Sequence, residues 1–340
     1  MKTMKKFAFI CLAMITLTSS CSDDNEPEVI VETKVLFTSN NSDGNVNMYT
    51  VTDLNSVSKA TLTTPATASD GVYYDSNDDL VVQASRSTFG LEGYANISTF
   101  NASATVAASI SGSLDMQSPR EIAVMGSMYV VADSADADGD PSTKDGRLFV
   151  YTNNAGNFTL RNVITTDFKV WGITFIGNDL YAIVDTTNQL AVYTNFLSNT
   201  SNATLAASKT IIVEGIVRTH GLTYDTSSDI MILTDIGEAS NGQDDGGFHI
   251  INNFASVFGG TSNGGTLALS DQIRVSGTNT LLGNPVDVAY DGDSKTVFIA
   301  EAGNGGGRIL AFNDISSGGN LTPKYNADLA SASAVYLHKE

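Results

Sequence analysis

The chain has 340 residues, with 37 Asp or Glu against 18 Lys or Arg and only two cysteines. A net charge of −19 repels phosphate backbones and anionic lipid headgroups, which excludes nucleic acid as a partner and limits membrane contact to an anchor. The cysteines are Cys11 and Cys21, so the rest of the chain has no disulfide, thiolate metal site or cysteine nucleophile, and must be held by a large apolar core.

The first element is a leader. Met1 to Lys6 is basic, Phe7 to Leu17 is an apolar run too short to span a bilayer, and small and hydroxyl residues follow up to Cys21. This is the layout of a secretory signal. The stretch Leu17-Thr18-Ser19-Ser20-Cys21 resembles a bacterial lipobox, with Thr18 where an aliphatic residue is usual. Ser22-Asp23-Asp24-Asn25-Glu26 resembles the acidic tether of surface lipoproteins of the Bacteroidetes group. The resemblance implies that residues 1–20 are removed, that Cys21 carries the lipid, that residues 21–33 form a tether, and that residues 34–340 sit on the outer membrane, exposed at the cell surface. Removing Lys2, Lys5 and Lys6 leaves 15 basic residues against 37 acidic ones.

Short apolar runs then recur in threes, separated by Gly, Asn, Asp and Ser, with no helical period. From Asp70 they read DGVYYD, DLVVQAS and GYANISTF; from Arg120, REIAV, SMYVVADS and GRLFVYT. From Trp171 they read WGITF, DLYAIVD and QLAVY; from His220, HGLTY, DIMILTD and GGFHIIN; from Pro285, PVDVAYD, TVFIAEA and GRILAF. A looser fourth run closes most units, such as FTLRNVI after Phe158 or ATLAASKTIIV after Ala203. FGGTSNGGTLALS, from Phe258, reads as an insertion. A period of about 40–50 residues with four short strands predicts β-propeller blades.

The ends complete each other. KVLFTSNN and GNVNMYT, from Lys34 and Gly44, lack an opening strand, and SASAVYLHKE at the carboxyl terminus is an opening strand with nothing after it. Pairing the two predicts an all-β fold, a six-bladed propeller whose last strand joins the first blade and leaves no open sheet edge. The unit resembles the NHL repeat, most closely from Ser118-Pro119-Arg120 through Ala132-Asp133, and next from Pro285 to Phe312 with Glu301 in place of the aspartate. That likeness implies a fold shared by binding modules and enzymes alike.

In such a ring the starts of the first strands meet the ends of the second strands on one face. The starts are Asp70, Arg120, Trp171, His220, Val286 and Ser333; the ends include Asp133, Asp185, Asp235 and Glu301. A carboxylate that recurs in several blades is expected to accept loop N–H groups. HGLTYD, from His220, resembles the His-Gly-Ile motif of paraoxonase-like hydrolases, which, like gluconolactonases, hold a catalytic Ca²⁺ at the channel mouth. Arg120, Trp171 and Val286 depart from that pattern, since a hard cation needs about six to eight oxygens and Asp70 and Asp287 do not complete the shell.

The expected site is instead a set of ligand-binding residues, Asp70, Arg120, Trp171, His220 and Asp287, suited to a sugar or another polar organic molecule. Trp171 as a channel plug is the alternative. A second cation locus is Asp133 to Asp145, where Asp136, Asp138 and Asp145 take the spacing of a calcium loop, though Ser134 stands at its first position. The glycines of EAGNGGGRI, from Glu301, join strands and open no helix, so they form no phosphate cradle.

The function expected from these features is a non-catalytic ligand-binding or scaffolding surface lipoprotein. Its partner is a small polar ligand or a protein, and no cofactor is assigned to it, Ca²⁺ being the one candidate. The alternatives are a Ca²⁺-dependent lactonase or esterase, and a structural subunit of an outer-membrane complex.

Overall fold

Strands such as Leu80–Ser85 and Thr296–Glu301 are buried at every position, as sheets covered on both faces require. Their alternate residues feed different cores. Tyr129 and Val131 pack toward the preceding sheet, whereas Val130 and Ala132 pack toward the following one. The computed structural model describes residues 32–340 apart from 101, 141, 155 and 156, and residues 33–340 form one compact unit. The leader and Cys21 lie outside the described residues, and no helix among those described is long and apolar enough to cross a membrane.

Six antiparallel sheets form a closed ring, with six apolar clusters between neighbouring sheets. The inner strands of blades two to six are Ser69–Asp75, Pro119–Met125, Val170–Ile176, Leu222–Asp225 and Pro285–Asp291. Blade one is closed as expected. Ala332–Lys339 is its inner strand and pairs antiparallel with Lys34–Asn40, in register from Lys34↔Lys339 to Asn40↔Ala332. Thr33 and Glu340 exchange backbone hydrogen bonds of 3.0 and 2.9 Å at the end of this seam.

The connection from the third to the fourth strand departs from the simple repeat. Ala104–Thr105, Ala203–Leu205 and Thr266–Leu267 each cross to the preceding blade and add a short parallel strand at its outer edge. ATLAASKTIIV is therefore two strands in two sheets. FGGTSNGGTLALS is also no simple insertion: it ends a helix, Phe254–Gly260, and then makes the same crossing. Phe254 and Phe258 lie against Tyr181 and seat that helix.

Before each of these crossings the chain turns in one way. Asn96, Asn195 and Asn253 adopt φ of 60°, 47° and 50°, and the next residue, Ile97, Phe196 or Phe254, is buried. Asp314-Ile315 repeats the device in blade six. Asn and Asp tolerate this left-handed conformation better than other non-glycine residues.

Candidate ligand-binding channel

The register of the first two strands in each blade sets which side chains reach the axis. Ile122 pairs with Val131, Leu222 with Leu233 and Val288 with Ile299. Counting back two places aligns Asp70, Arg120, Trp171, His220 and Val286 at the start of their inner strands, and four of these meet. Arg120 Nη1 donates to Asp70 Oδ2 at 2.8 Å, and its guanidinium lies 3.9 Å from the centre of the Trp171 ring. The imidazole of His220 stacks parallel to the same indole, 3.7 Å away and tilted by 2°. One contiguous array thus spans four blades.

This array covers one end of the channel. Asp70 and His220 are 5% and 4% exposed, and Trp171 has Arg120 on one face and His220 on the other. No free indole face remains to stack on a sugar. The backbone narrows the same end: a Cβ on Gly71, Gly172 or Gly221 would come within 2.7 Å of the next inner strand. Asp70 also accepts from Asn41 Nδ2, and Ser333 Oγ donates to the Ser69 carbonyl.

The second-strand carboxylates divide into two kinds. Asp235 Oδ1 accepts from the N–H groups of Val217, Arg218 and Gly237. Glu301 accepts from Gly283, Asn284, Gly303 and Asn304, and Asp133 from Gln117 and Ser118. These three are loop acceptors. Asp185 was expected to match them, but the pairing of Ile173 with Ala182 places it one residue farther along. Its carboxylate accepts one loop N–H, from Thr186 at 2.6 Å, and otherwise turns to the array, where Arg218 Nη2 donates at 2.8 Å and His220 Nε2 lies 3.4 Å away, not aligned for a hydrogen bond.

Burial pushes the His220 imidazole below its usual pKa, against the pull of Asp185. Burial would raise Asp185, yet His220 and Arg218 hold it well below the ordinary carboxylate range.

Asp287 does not join the array. It sits one residue deeper, at the position Glu121 takes in the opposite blade, and both line a cavity of about 240 Å³. Every inner strand contributes to its wall, including Tyr73, Phe175, Thr223, Tyr290 and Tyr336. Several of these are partly exposed, so the channel opens at the end opposite the covered one. The pocket expected at the strand starts is therefore entered from the strand ends.

Asp287 Oδ2 accepts from Val335 N at 2.8 Å, and Glu121 Oε1 from Ile122 N at 2.8 Å. Burial raises both carboxyls, Asp287 to about 7 and Glu121 well above its usual value; Asp70 adds to both rises, and Asp287 adds to that of Glu121. The sequence reading passed over Glu121. Its signal was an acid at a strand position where Gly71, Gly172 and Gly221 stand in other blades.

The outer acidic loop gathers Asp136, Asp138 and Asp145 with one oxygen of each within 4.8 Å of the others. Their Oδ1 atoms already accept from Gly139, Asp140 and Ala137 N–H groups. The three carboxylates gather as the calcium-loop spacing predicts, and a calcium ion there would take the rest of its six to eight oxygens from backbone carbonyls or water.

No family model and no curated protein matches the chain. Solved structures do. A chain of a nidogen/laminin complex is 14% identical, with a TM-score of 0.58, covering 89% of this chain and 98% of that one. A protein of Bacteroides uniformis provisionally named a 6-phosphogluconolactonase is 11% identical, with a TM-score of 0.57 and coverage of 91% and 100%. Its counterpart from Bacteroides fragilis is 10% identical, with a TM-score of 0.54 and coverage of 92% and 100%. At such identities the likeness extends to the fold: the chain is a six-bladed β-propeller.

Proposed function

We propose that the protein is a non-catalytic binding propeller, carried on the cell surface by a lipid on Cys21, that takes a small polar organic ligand into its axial channel. The observation that carries this reading is the blind channel itself, covered at one end by Arg120, Trp171 and His220 and accessible at the other. Concave sites that bury a ligand on several sides, with a few polar groups at fixed positions, are the usual form of small-molecule sites. The surface location rests on the lipobox-like leader and the acidic tether.

A Ca²⁺-dependent lactonase is the second reading, favoured by the provisional names of the two Bacteroides folds. Against it, the strand starts carry a guanidinium, an indole and a valine, and Asp70 is engaged by Arg120. His220 there is a packing and orienting residue.

The test is a thermal-shift screen of sugars, amino acids and amines on the full chain beside a Thr223→Trp variant, which fills the channel. At least one compound should raise the melting temperature of the first and leave the second unmoved. Hits that stabilise both equally would place binding elsewhere. Calcium-dependent turnover of a lactone, lost in Thr223→Trp, would replace the binding reading with the enzymatic one.

A further inference from the structure

The residue just after each of the aligned strand-start positions looks across to the next blade. Three blades carry glycine there, Gly71, Gly172 and Gly221, and their backbones approach so closely that a Cβ would collide. Glu121 and Asp287 occupy this position in the third and sixth blades, opposite each other in a ring of six. The two carboxyls therefore converge on the axis at the narrow end of the cavity they both line.

No Lys, Arg or His is among the residues lining that cavity. The nearest guanidinium, Arg120, is engaged by Asp70 and Trp171. A buried carboxylate without a cation is costly, so it either takes a proton or finds a positive partner. Above the two acids the wall turns aromatic, with Tyr73 and Tyr336 at ring centres 4.7 Å apart and Phe175 and Tyr290 on other blades.

We propose that the blind end of the channel binds a small organic cation, a primary ammonium on an apolar body, with Glu121 and Asp287 as its counter-charges and the aromatic wall around its body. The inference rests on the channel-binding reading above and names the ligand class. An ammonium donates three hydrogen bonds, which suits two carboxylates and the Thr223 or Thr174 hydroxyls, and aromatic faces attract a cation that has shed water. A bare calcium ion fits less well, because the lining offers two carboxylates where six to eight oxygens are needed. Burial raises both carboxyls above their ordinary range, so a ligand that brings a positive charge offsets the cost of ionising them.

The experiment is calorimetric titration of the full chain at pH 8 with benzylammonium, benzyl alcohol, benzoate and calcium chloride, each tested separately. Benzylammonium should bind at least tenfold more tightly than benzyl alcohol, and benzoate should not bind. Glu121→Gln and Asp287→Asn should each remove that preference while leaving the weak binding of benzyl alcohol unchanged. Glu121→Gln keeps the test informative if Asp287→Asn fails to fold.

Equal binding of benzylammonium and benzyl alcohol, both blocked by Thr223→Trp, would overturn the cation and leave the channel reading standing. Benzylammonium binding unchanged in both acid variants would overturn the assignment of these residues. Calcium chloride that binds in competition with benzylammonium and is lost in Glu121→Gln would make the site a metal site instead. No heat from any probe would overturn the inference, with the wider screen still deciding the channel.

Discussion

Asp287 is a residue whose burial has a thermodynamic cost that depends on pH. In the unfolded chain it should titrate near 3.9, and in the fold burial raises it to about 7, with Asp70 adding to the rise and the N–H groups of Val335 and Val288 opposing it. A carboxyl raised on folding contributes stability that is complete below the unfolded value and lost as pH climbs through the folded one. The stability that Asp287 contributes should therefore be lost between about pH 4 and pH 7, and Asp287→Asn, which keeps an oxygen for Val335 N–H but carries no charge, should remove that loss. Urea melts of the two proteins at pH 4 and pH 8 measure it: the variant should gain on the native chain at pH 8 and not at pH 4, and parallel curves would contradict the assignment. At this scale the sequence was partly legible. Its choice of Asp70, Arg120, Trp171 and His220 named residues that do touch, because each opens an inner strand and the starts of inner strands converge. Whether they were open to a ligand was not legible, since that depends on Arg120 and His220 closing over both faces of one ring.

Among the elements, the inner three strands of each blade could be read from their apolar runs, because sheets buried on both faces leave no polar interruption. The outer strands could not. Ala104–Thr105, Ala203–Leu205 and Thr266–Leu267 are two or three residues long and belong to the sheet before their own, so neither length nor alternation marks them. The helix Phe254–Gly260 was missed for a related reason: at seven residues, two of them glycine, it has no helical period to detect and is held by the packing of Phe254 and Phe258. The repeated left-handed Asn or Asp ahead of a buried residue was visible in YANIS, YTNFL, INNFA and FNDIS, and marks where the chain leaves its own sheet. Asn253 shows what that position demands. Asn253→Gly should keep the stability of the native chain, whereas Asn253→Val should cost about 1–2 kcal/mol, the penalty of a left-handed backbone for a residue with a branched Cβ. Chemical denaturation midpoints separate the two, and equal midpoints would show that the turn relaxes.

For the whole molecule, ring closure was legible because an incomplete first unit and an orphan last strand require each other. The closing seam runs inside a sheet, along Lys34–Asn40 and Ala332–Lys339, so opening the ring means separating a hydrogen-bonded register as well as an apolar interface. Deleting residues 331–340 should leave the edge of Lys34–Asn40 bare and convert a single cooperative unfolding transition into an early, aggregating one, read by calorimetry and light scattering. A truncated chain that melts like the native one would show that the last strand is dispensable. The same seam also fixes where the ends emerge. Thr33 and Glu340 pair beyond Lys34 and Lys339, at the far end of the inner strand, and so on the rim through which the channel is entered. The indole-capped face is the one turned away from this pair of residues. A bulky group fused after Glu340 would stand at that doorway and should slow the arrival of a channel ligand.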